Sequence, residues 1–271
     1  MTDRLVRGQK TVPYGYTSLA EMGKLHADMY MDFGLLKLKQ GEVFSEEKPF
    51  ECLYLLVSGS VEFNWNGQIV QAQRNNCFDN SPWVLHVPAH TAISITSIIE
   101  GSELTVHRTE NEREFDAKLY GPEDLPDEIR GEGTMYETGT RTVRTVLDKN
   151  LAPWSNFVFG EVITSPGKWS SYPPHIHPQP EIYYYKMFPE QGYGFCEYGD
   201  DVYKVKHNDT VFIEPNYTHP QTAAPGYALW YMWVIRQDNK DPYESPKYPH
   251  FIEEHDWARK DTSAIWQPKK R

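Results

Sequence analysis

A chain of 271 residues, 39% hydrophobic, 24% charged and 14% aromatic, carries enough apolar material for one large domain or two of ordinary size. Its formal net charge of −11 opposes phosphate-rich partners, which argues against nucleic acid and anionic membranes but leaves a small anionic substrate open to a local cationic pocket. The three cysteines, Cys52, Cys77 and Cys196, have neither metal-ligand spacing nor the pattern of a disulfide framework. The amino end lacks the apolar centre of a secretory signal, and no apolar run approaches the roughly 20 residues that span a bilayer. A soluble, cytoplasmic protein with reduced thiols and no membrane partner is expected.

Twenty prolines and eighteen glycines suit short strands separated by turns. In the first half, strands are predicted over residues 31–38 (MDFGLLKL) and 52–57 (CLYLLV). Residues 60–65 (SVEFNW) alternate polar and apolar side chains and meet Asn66-Gly67, a strong hairpin signal with its return strand over 68–72. Residues 83–99 add two more strands, the second β-branched over 92–98 (AISITSI). An acid-rich stretch over 110–130 has no clean apolar period and reads as a crossing between halves. The strand pattern then resumes over 141–147, 157–163, 181–188, 193–198, 210–213 and 228–235. The rhythm is all-β, with a first barrel over 1–120, a linker over 121–140, a second barrel over 141–250 and a polar tail with a short helix over 251–271.

The chemistry concentrates in GKWSSYPPHIHPQPE, residues 167–181. Side chains at i and i+2 of a strand share a face, so His175 and His177 present two imidazoles side by side. Glu181 follows a Pro178-Gln179-Pro180 kink that can bring its carboxylate beside them. His219, in the turn-like EPNYTHP, supplies a third imidazole, with His207 as its rival. Such mixed nitrogen and oxygen donors suit a divalent Zn²⁺, Mn²⁺, Fe²⁺ or Ni²⁺ ion. The plain alternative is a proline-rich surface loop with solvated histidines. His86, His90 and His107 lack an H-x-H pair or a spaced glutamate, so the first barrel is expected to be metal-free.

The ordered set of a glycine, H-x-H, a spaced glutamate, Gly192 and a proline-led histidine resembles the two-part signature of the cupins. The resemblance implies two double-stranded β-helix (jelly-roll) barrels, with metal ligands at His175, His177, Glu181 and His219. Gly167 lies two residues further from the first histidine than that signature asks, Gly192 falls late, and Asn216-Tyr217 replaces the usual glycine. Within this group, GKWSSYPPHIH, the Arg141-Thr-Val start, the Glu181-x-Tyr-Tyr run, Gln191-Gly192 and the loop over 215–219 resemble the 5-deoxy-glucuronate isomerases of bacterial inositol catabolism. The likeness covers most of residues 115–240 and is weaker over the first 110. The related 5-keto-4-deoxyuronate isomerases match GKWSSYPPH less well. The short Pro-Gln-Pro link departs from relatives that carry a longer insertion there.

The resemblance implies an aldose–ketose isomerase, an intramolecular oxidoreductase, acting on a small sugar acid. It would convert 5-deoxy-D-glucuronate to 5-dehydro-2-deoxy-D-gluconate with a divalent metal as Lewis acid. If strand parity continues from Glu181, Tyr183 and Tyr185 face inward with the ligands, while Tyr184 and Lys186 face away. Tyr183 and Tyr185 are candidates for proton transfer or substrate hydrogen bonding, against the alternative of strand filler. Glu214 is a second base candidate, against a surface carboxylate at a strand end. The substrate carboxylate needs a cation, for which Arg141, Arg144 and Lys168 are candidates. Arg141 and Arg144 are an odd number of residues apart, so only one can face the pocket. Trp154, Trp169, Trp230 and Trp233 line a sugar-binding wall or pack in the core. The competing functions are a cupin dioxygenase or another uronate isomerase on the same ligands, and a non-enzymatic sugar-sensing or storage cupin. Aromatic richness and the two-barrel plan suggest a homo-oligomer.

Overall fold

The structure, a computed structural model, describes residues 3–237, 239–245 and 247–269. The outermost residues of the expected first barrel and tail lie outside that range. Strands dominate, and every strand pairing is antiparallel. The first half is organised by one long strand, Glu51–Trp65, where the sequence suggested two. It pairs with Trp83–Val87 and Ser102–Thr109 through its first part, and with Gln68–Arg74 and Ile93–Ser97 through its second. The hairpin turns at Asn66-Gly67, both with positive φ (48° and 76°), the geometry that a two-residue turn matched to strand twist demands. Asp32–Leu38, Gly15–Ala20, Val43–Glu46 and Lys118–Tyr120 complete that sheet.

The second half contains a seven-stranded sheet in the order Leu5–Val6, Thr210–Ile213, Glu181–Phe188, Ala228–Arg236, Phe157–Thr164, Arg141–Leu147, Glu128–Arg130. A four-stranded sheet of Trp169–Ser170, Gln221–Ala223, Tyr193–Tyr198 and Asp201–Lys206 accompanies it. The two curled halves form the bicupin architecture expected from the sequence. Two details refine its boundaries. Leu5–Val6, from the chain's beginning, pairs with Val211 and Thr210 of the second half. Glu128–Arg130, inside the expected linker, is an edge strand of the second sheet. The tail carries the helix Glu253–Lys260, and no helix among the described residues is long and apolar enough to cross a membrane.

Strand alternation divides the second sheet into two faces. Phe157, Phe159, Ile182, Tyr184, Phe212, Trp230, Met232 and Val234 point toward the first half, where they share one apolar cluster with Phe33, Leu53, Leu55 and Val84. Val162, Tyr183, Tyr185, Val211, Ile213, Leu229 and Tyr231 point the other way, into the second barrel. Trp230 is therefore core between the halves, while Trp154 and Trp169 are partly exposed at the surface. Ser102–Thr109 has no apolar pattern yet is buried throughout. Its charged groups are paired, Glu103 with Lys186 and Arg108 with Glu46, and His107 Nε2 meets Thr105 while its Nδ1 has no partner among the described residues.

Buried polar groups also join the halves. The Glu51 carboxylate accepts from Ser155 Oγ (2.5 Å), Asn156 N (2.9 Å) and Asn111 Nδ2 (2.8 Å), and lies 2.7 Å from His86 Nε2. Burial opposes its ionisation, yet His86 and the Ser155 and Asn156 donors outweigh burial and hold the carboxyl below its ordinary pKa of 4.5. A depressed folded-state pKa stabilises the fold at pH values above the unfolded pKa, and that contribution disappears as pH falls through the folded value. Glu51→Gln should cost about 3–5 kcal/mol at pH 7, the scale for breaking a buried charged network. It should also flatten the loss of stability below about pH 4. Urea unfolding at neutral and acid pH measures both, and a variant with the parent's stability and acid slope would contradict this role.

Candidate active site

The inner face of the second sheet opens on a cavity of about 690 Å³. Glu181 and Tyr183 reach it from one strand, Tyr231 and Trp233 from its neighbour, and Arg141 from Arg141–Leu147. His175 and His177 enter from the loop before Glu181, and the two-residue strand His175–Ile176 pairs with His250–Phe251 from the tail.

The ligand atoms of His177, Glu181 and His219 all lie within 4.8 Å of one another, and all three residues are buried. Glu181 Oε2 is 3.3 Å from His177 Nε2 and 3.2 Å from His219 Nε2. The other ring nitrogens face backbone carbonyls: His177 Nδ1 lies 3.0 Å from Gln179 O and His219 Nδ1 2.8 Å from Tyr217 O. A carbonyl can only accept, so Nδ1 carries the proton and Nε2 turns a lone pair toward Glu181. Glu181 Oε2 and His219 Nε2 have no hydrogen-bond partner, although both are buried. Three acceptors facing one another call for a cation. Atoms about 3.3 Å apart are also what tetrahedral bonds of roughly 2.0–2.1 Å to one ion would give. Burial pushes His219 down to about 3 and His177 down to about 4, so both imidazoles are neutral at physiological pH. Burial pushes Glu181 up to about 7 despite relief from His219, the signature of a carboxylate lacking its counter-charge. The group fits a divalent cation.

His175 stands beside this trio. Its ring lies 4.7 Å from that of His219 but 6.4 Å from that of His177, and its Nδ1 faces Pro173 O at 3.2 Å. The rival His207 is elsewhere, half-buried rather than exposed, with its Nδ1 against the Met187 backbone.

The remaining candidates separate cleanly. Tyr183 lines the cavity, 5.9 Å from the His219 ring. Tyr185 faces inward on the same strand but lies deeper, where its hydroxyl donates to Gln221 Oε1 (2.7 Å). Gln221 Nε2 donates to His219 O (2.6 Å), so Tyr185 braces His219 through Gln221 and does not line the cavity. Glu214 also falls outside. Val211 and Ile213 point inward, which turns Glu214 outward to Arg4 (2.5 Å) and the Tyr198 hydroxyl. Lys168 is half-buried in a turn away from the cavity, and its carbonyl accepts from Ala223 N and Thr222 Oγ1.

Of the two arginines on Arg141–Leu147, Arg141 alone faces the cavity. Arg144 points to the opposite face, where it pairs with Asp127 (2.5 Å) and with Glu161 (2.8 Å), which Arg74 also grips (2.6 Å). Arg141 has no carboxylate within ion-pair distance among the described residues. Its guanidinium donates to Gly139 O (2.9 Å), and burial pushes its pKa below the ordinary arginine value. Arg130 joins it in the cavity, held by Glu128 at 2.7 Å. Sequence reasoning missed Arg130 because its edge strand lies in the presumed linker. It missed Tyr243, Tyr248 and Arg259 because the segment after Arg236 has no strand period.

The model of the KduI/IolB family matches residues 7–258 of the chain. A 5-deoxy-glucuronate isomerase of Geobacillus kaustophilus is 29% identical over 265 residues, covering 89% of this chain and 90% of the relative. That of Bacillus licheniformis is 27% identical, covering 90% and 93%. Among solved structures, an IolB-like protein of Salmonella typhimurium superposes with a TM-score of 0.82 at 23% identity over 94% of this chain and 99% of the other. An oxalate decarboxylase of Lactobacillus farciminis shares the two-barrel fold at a TM-score of 0.62 and 12% identity, over 87% and 86%. By the extent of the family match, the chain is a member of the KduI/IolB family.

Proposed function

We propose that this isomerase converts 5-deoxy-D-glucuronate to 5-dehydro-2-deoxy-D-gluconate, a step of inositol catabolism, with a divalent metal at His177, Glu181 and His219. The observation that carries the reading is that His177 and Glu181 of that cation-seeking trio line the same cavity as Arg141, whose guanidinium has no carboxylate partner among the described residues. A sugar acid offers the matching ends, an aldehyde with its neighbouring hydroxyl and a carboxylate. The relatives' names supply the substrate.

The reaction moves a carbonyl from C1 to C2. A proton leaves C2, a proton is delivered to C1, and no oxidant or reductant is consumed. A bound divalent ion would supply Lewis-acid polarisation of the aldehyde oxygen and its neighbour. The protein's own residues do the rest. Arg141, seconded by Arg130, holds the carboxylate and so fixes which end of the substrate faces the histidines. Tyr183 lies between the trio and Tyr231, whose hydroxyl is tied to Ser170 and Ser171 at 3.1 Å. Burial and the nearby Glu181 hold Tyr183 well above its ordinary pKa, so its hydroxyl is a proton-bearing donor in this cavity. The apolar walls, Val143, Val162 and Trp233, exclude water from the reacting carbons.

Metal-loaded protein incubated anaerobically with 5-deoxy-D-glucuronate in D₂O should give ketone product carrying solvent deuterium at the former aldehyde carbon; absence of product would remove the reading. His177→Ala should lose both bound metal and turnover, as metal analysis and assay would record, and an active, metal-replete variant would displace the site. Arg141→Met should raise KM by roughly 10- to 100-fold, the range for a lost charge-assisted hydrogen bond, with little change in melting temperature. Arg144→Met should do the reverse, costing about 1–3 kcal/mol of stability through its lost charged contacts to Glu161 and Asp127, Glu161 keeping Arg74, while KM holds. Equal effects of the two substitutions on KM would contradict the division of faces.

A further inference from the structure

The irregular segment after Arg236 lines one side of the cavity and is anchored to the stretch that carries the histidines. Gln179 Nε2 donates to Asp241 O (2.7 Å), and the Asp241 carboxylate accepts from the Tyr248 hydroxyl (2.8 Å). Tyr243 N donates to Gln237 Oε1 (3.2 Å), and His250–Phe251 pairs with His175–Ile176. Gln179 is the same residue whose carbonyl faces His177 Nδ1. These contacts place the Tyr243 ring edge-on against the His177 ring, at 5.1 Å and 87°.

The hydroxyl of Tyr243 differs from those around it. Tyr231 is engaged by Ser170 and Ser171, and Tyr248 by Asp241. Tyr243 lines the cavity, is largely covered, and has no hydrogen-bond partner for its hydroxyl among the described residues. The charged side chains acting on it are Glu181, from the trio, and Arg130, from the arginine end. A cavity-lining hydroxyl with no protein partner among the described residues is available to a ligand's oxygen there.

We propose that Tyr243 is a substrate-contacting residue: its hydroxyl donates a hydrogen bond to an oxygen of the sugar acid beside His177, and the Gln179–Asp241 contact holds it there. The inference rests on the sugar-acid reading of the cavity and adds a wall that the barrel strands do not supply. Specificity for the length and hydroxyl pattern of the sugar acid is then set jointly by the barrel and by the segment that follows it.

Tyr243→Phe keeps the ring against His177 and removes only the hydroxyl. Metal content and melting temperature should match the parent, while kcat/KM for 5-deoxy-D-glucuronate falls roughly tenfold. Calorimetry with D-gluconate, an open-chain hydroxy acid, supplies a readout that needs no turnover, and its affinity should fall roughly fivefold or more. If the parent fails to isomerise 5-deoxy-D-glucuronate, the functional reading fails, and the gluconate comparison still judges the contact. Unchanged kcat/KM with unchanged gluconate affinity would overturn the proposal. Loss of metal from Tyr243→Phe would overturn it too, by assigning the residue to packing against His177.

Discussion

The site depends on an electrostatic deficit that the fold builds and holds. Two backbone carbonyls dictate which nitrogen of His177 and of His219 carries its proton, and the remaining lone pairs converge on a buried carboxylate oxygen that nothing else satisfies. Left alone, this arrangement is costly, since a buried ionised carboxylate without a partner loses several kcal/mol of hydration. A proton on Glu181 answers part of the deficit, which is why its pKa climbs to about 7. A divalent cation answers all of it. The rigidity of the surroundings, from Tyr185 through Gln221 to the His219 carbonyl, keeps the three atoms from relaxing apart.

That rigidity comes from strand alternation. Each central strand of the second sheet spends every other residue on an apolar cluster shared with the first half, and the residues between on the cavity. Ile182 and Tyr184 lock the strand whose Glu181 and Tyr183 line the site. Arg144 ties the strand whose Arg141 faces the cavity. The first barrel thus supports the cavity without lining it, as the surface against which the curled second sheet is held. Its buried polar contacts, Glu51 to Ser155 and Arg74 to Glu161, fix the relative setting of the halves as apolar packing alone does not.

Much of this could be read from the sequence, and the exceptions share a cause. Period-two strands bounded by turns were visible where one face is apolar, so the strands Arg141–Leu147, Glu181–Phe188, Tyr193–Tyr198 and Thr210–Ile213 have the expected limits. Ser102–Thr109 escaped because its polar side chains are satisfied by distant partners that a local window cannot see. The H-x-H pair, spaced glutamate and proline-led histidine of the cupin resemblance include the three residues that converge, His177, Glu181 and His219, while the His175 ring, on a two-residue strand, stands 6.4 Å from that of His177. Glu214 turns outward as parity from Val211 and Ile213 requires, the surface-carboxylate alternative, whereas Lys168 lies beside a turn that no strand parity reaches. Tyr243 was invisible for the same reason: its place is set by Gln179 and Gln237, far from it in sequence or in a loop, and not by any repeat.

The overall charge of −11 makes the cavity's composition informative. An acidic surface repels an anion at long range, so a small carboxylate can bind only where local cations override the sign. Arg141 is half-buried on the cavity wall with no carboxylate in ion-pair distance among the described residues, a place where an arginine is left available to an anion. Glu161 and Arg74 show the alternative within the same protein: where an arginine is structural, as Arg144 is, it comes with its carboxylates. The cavity therefore contains two uncompensated charges of opposite sense, a negative group seeking a cation and a positive group seeking an anion. A ligand that answers both must carry a carboxylate at one end and metal-binding oxygens at the other. The proposed sugar acid meets that requirement by its own chemistry, independently of any relative's name.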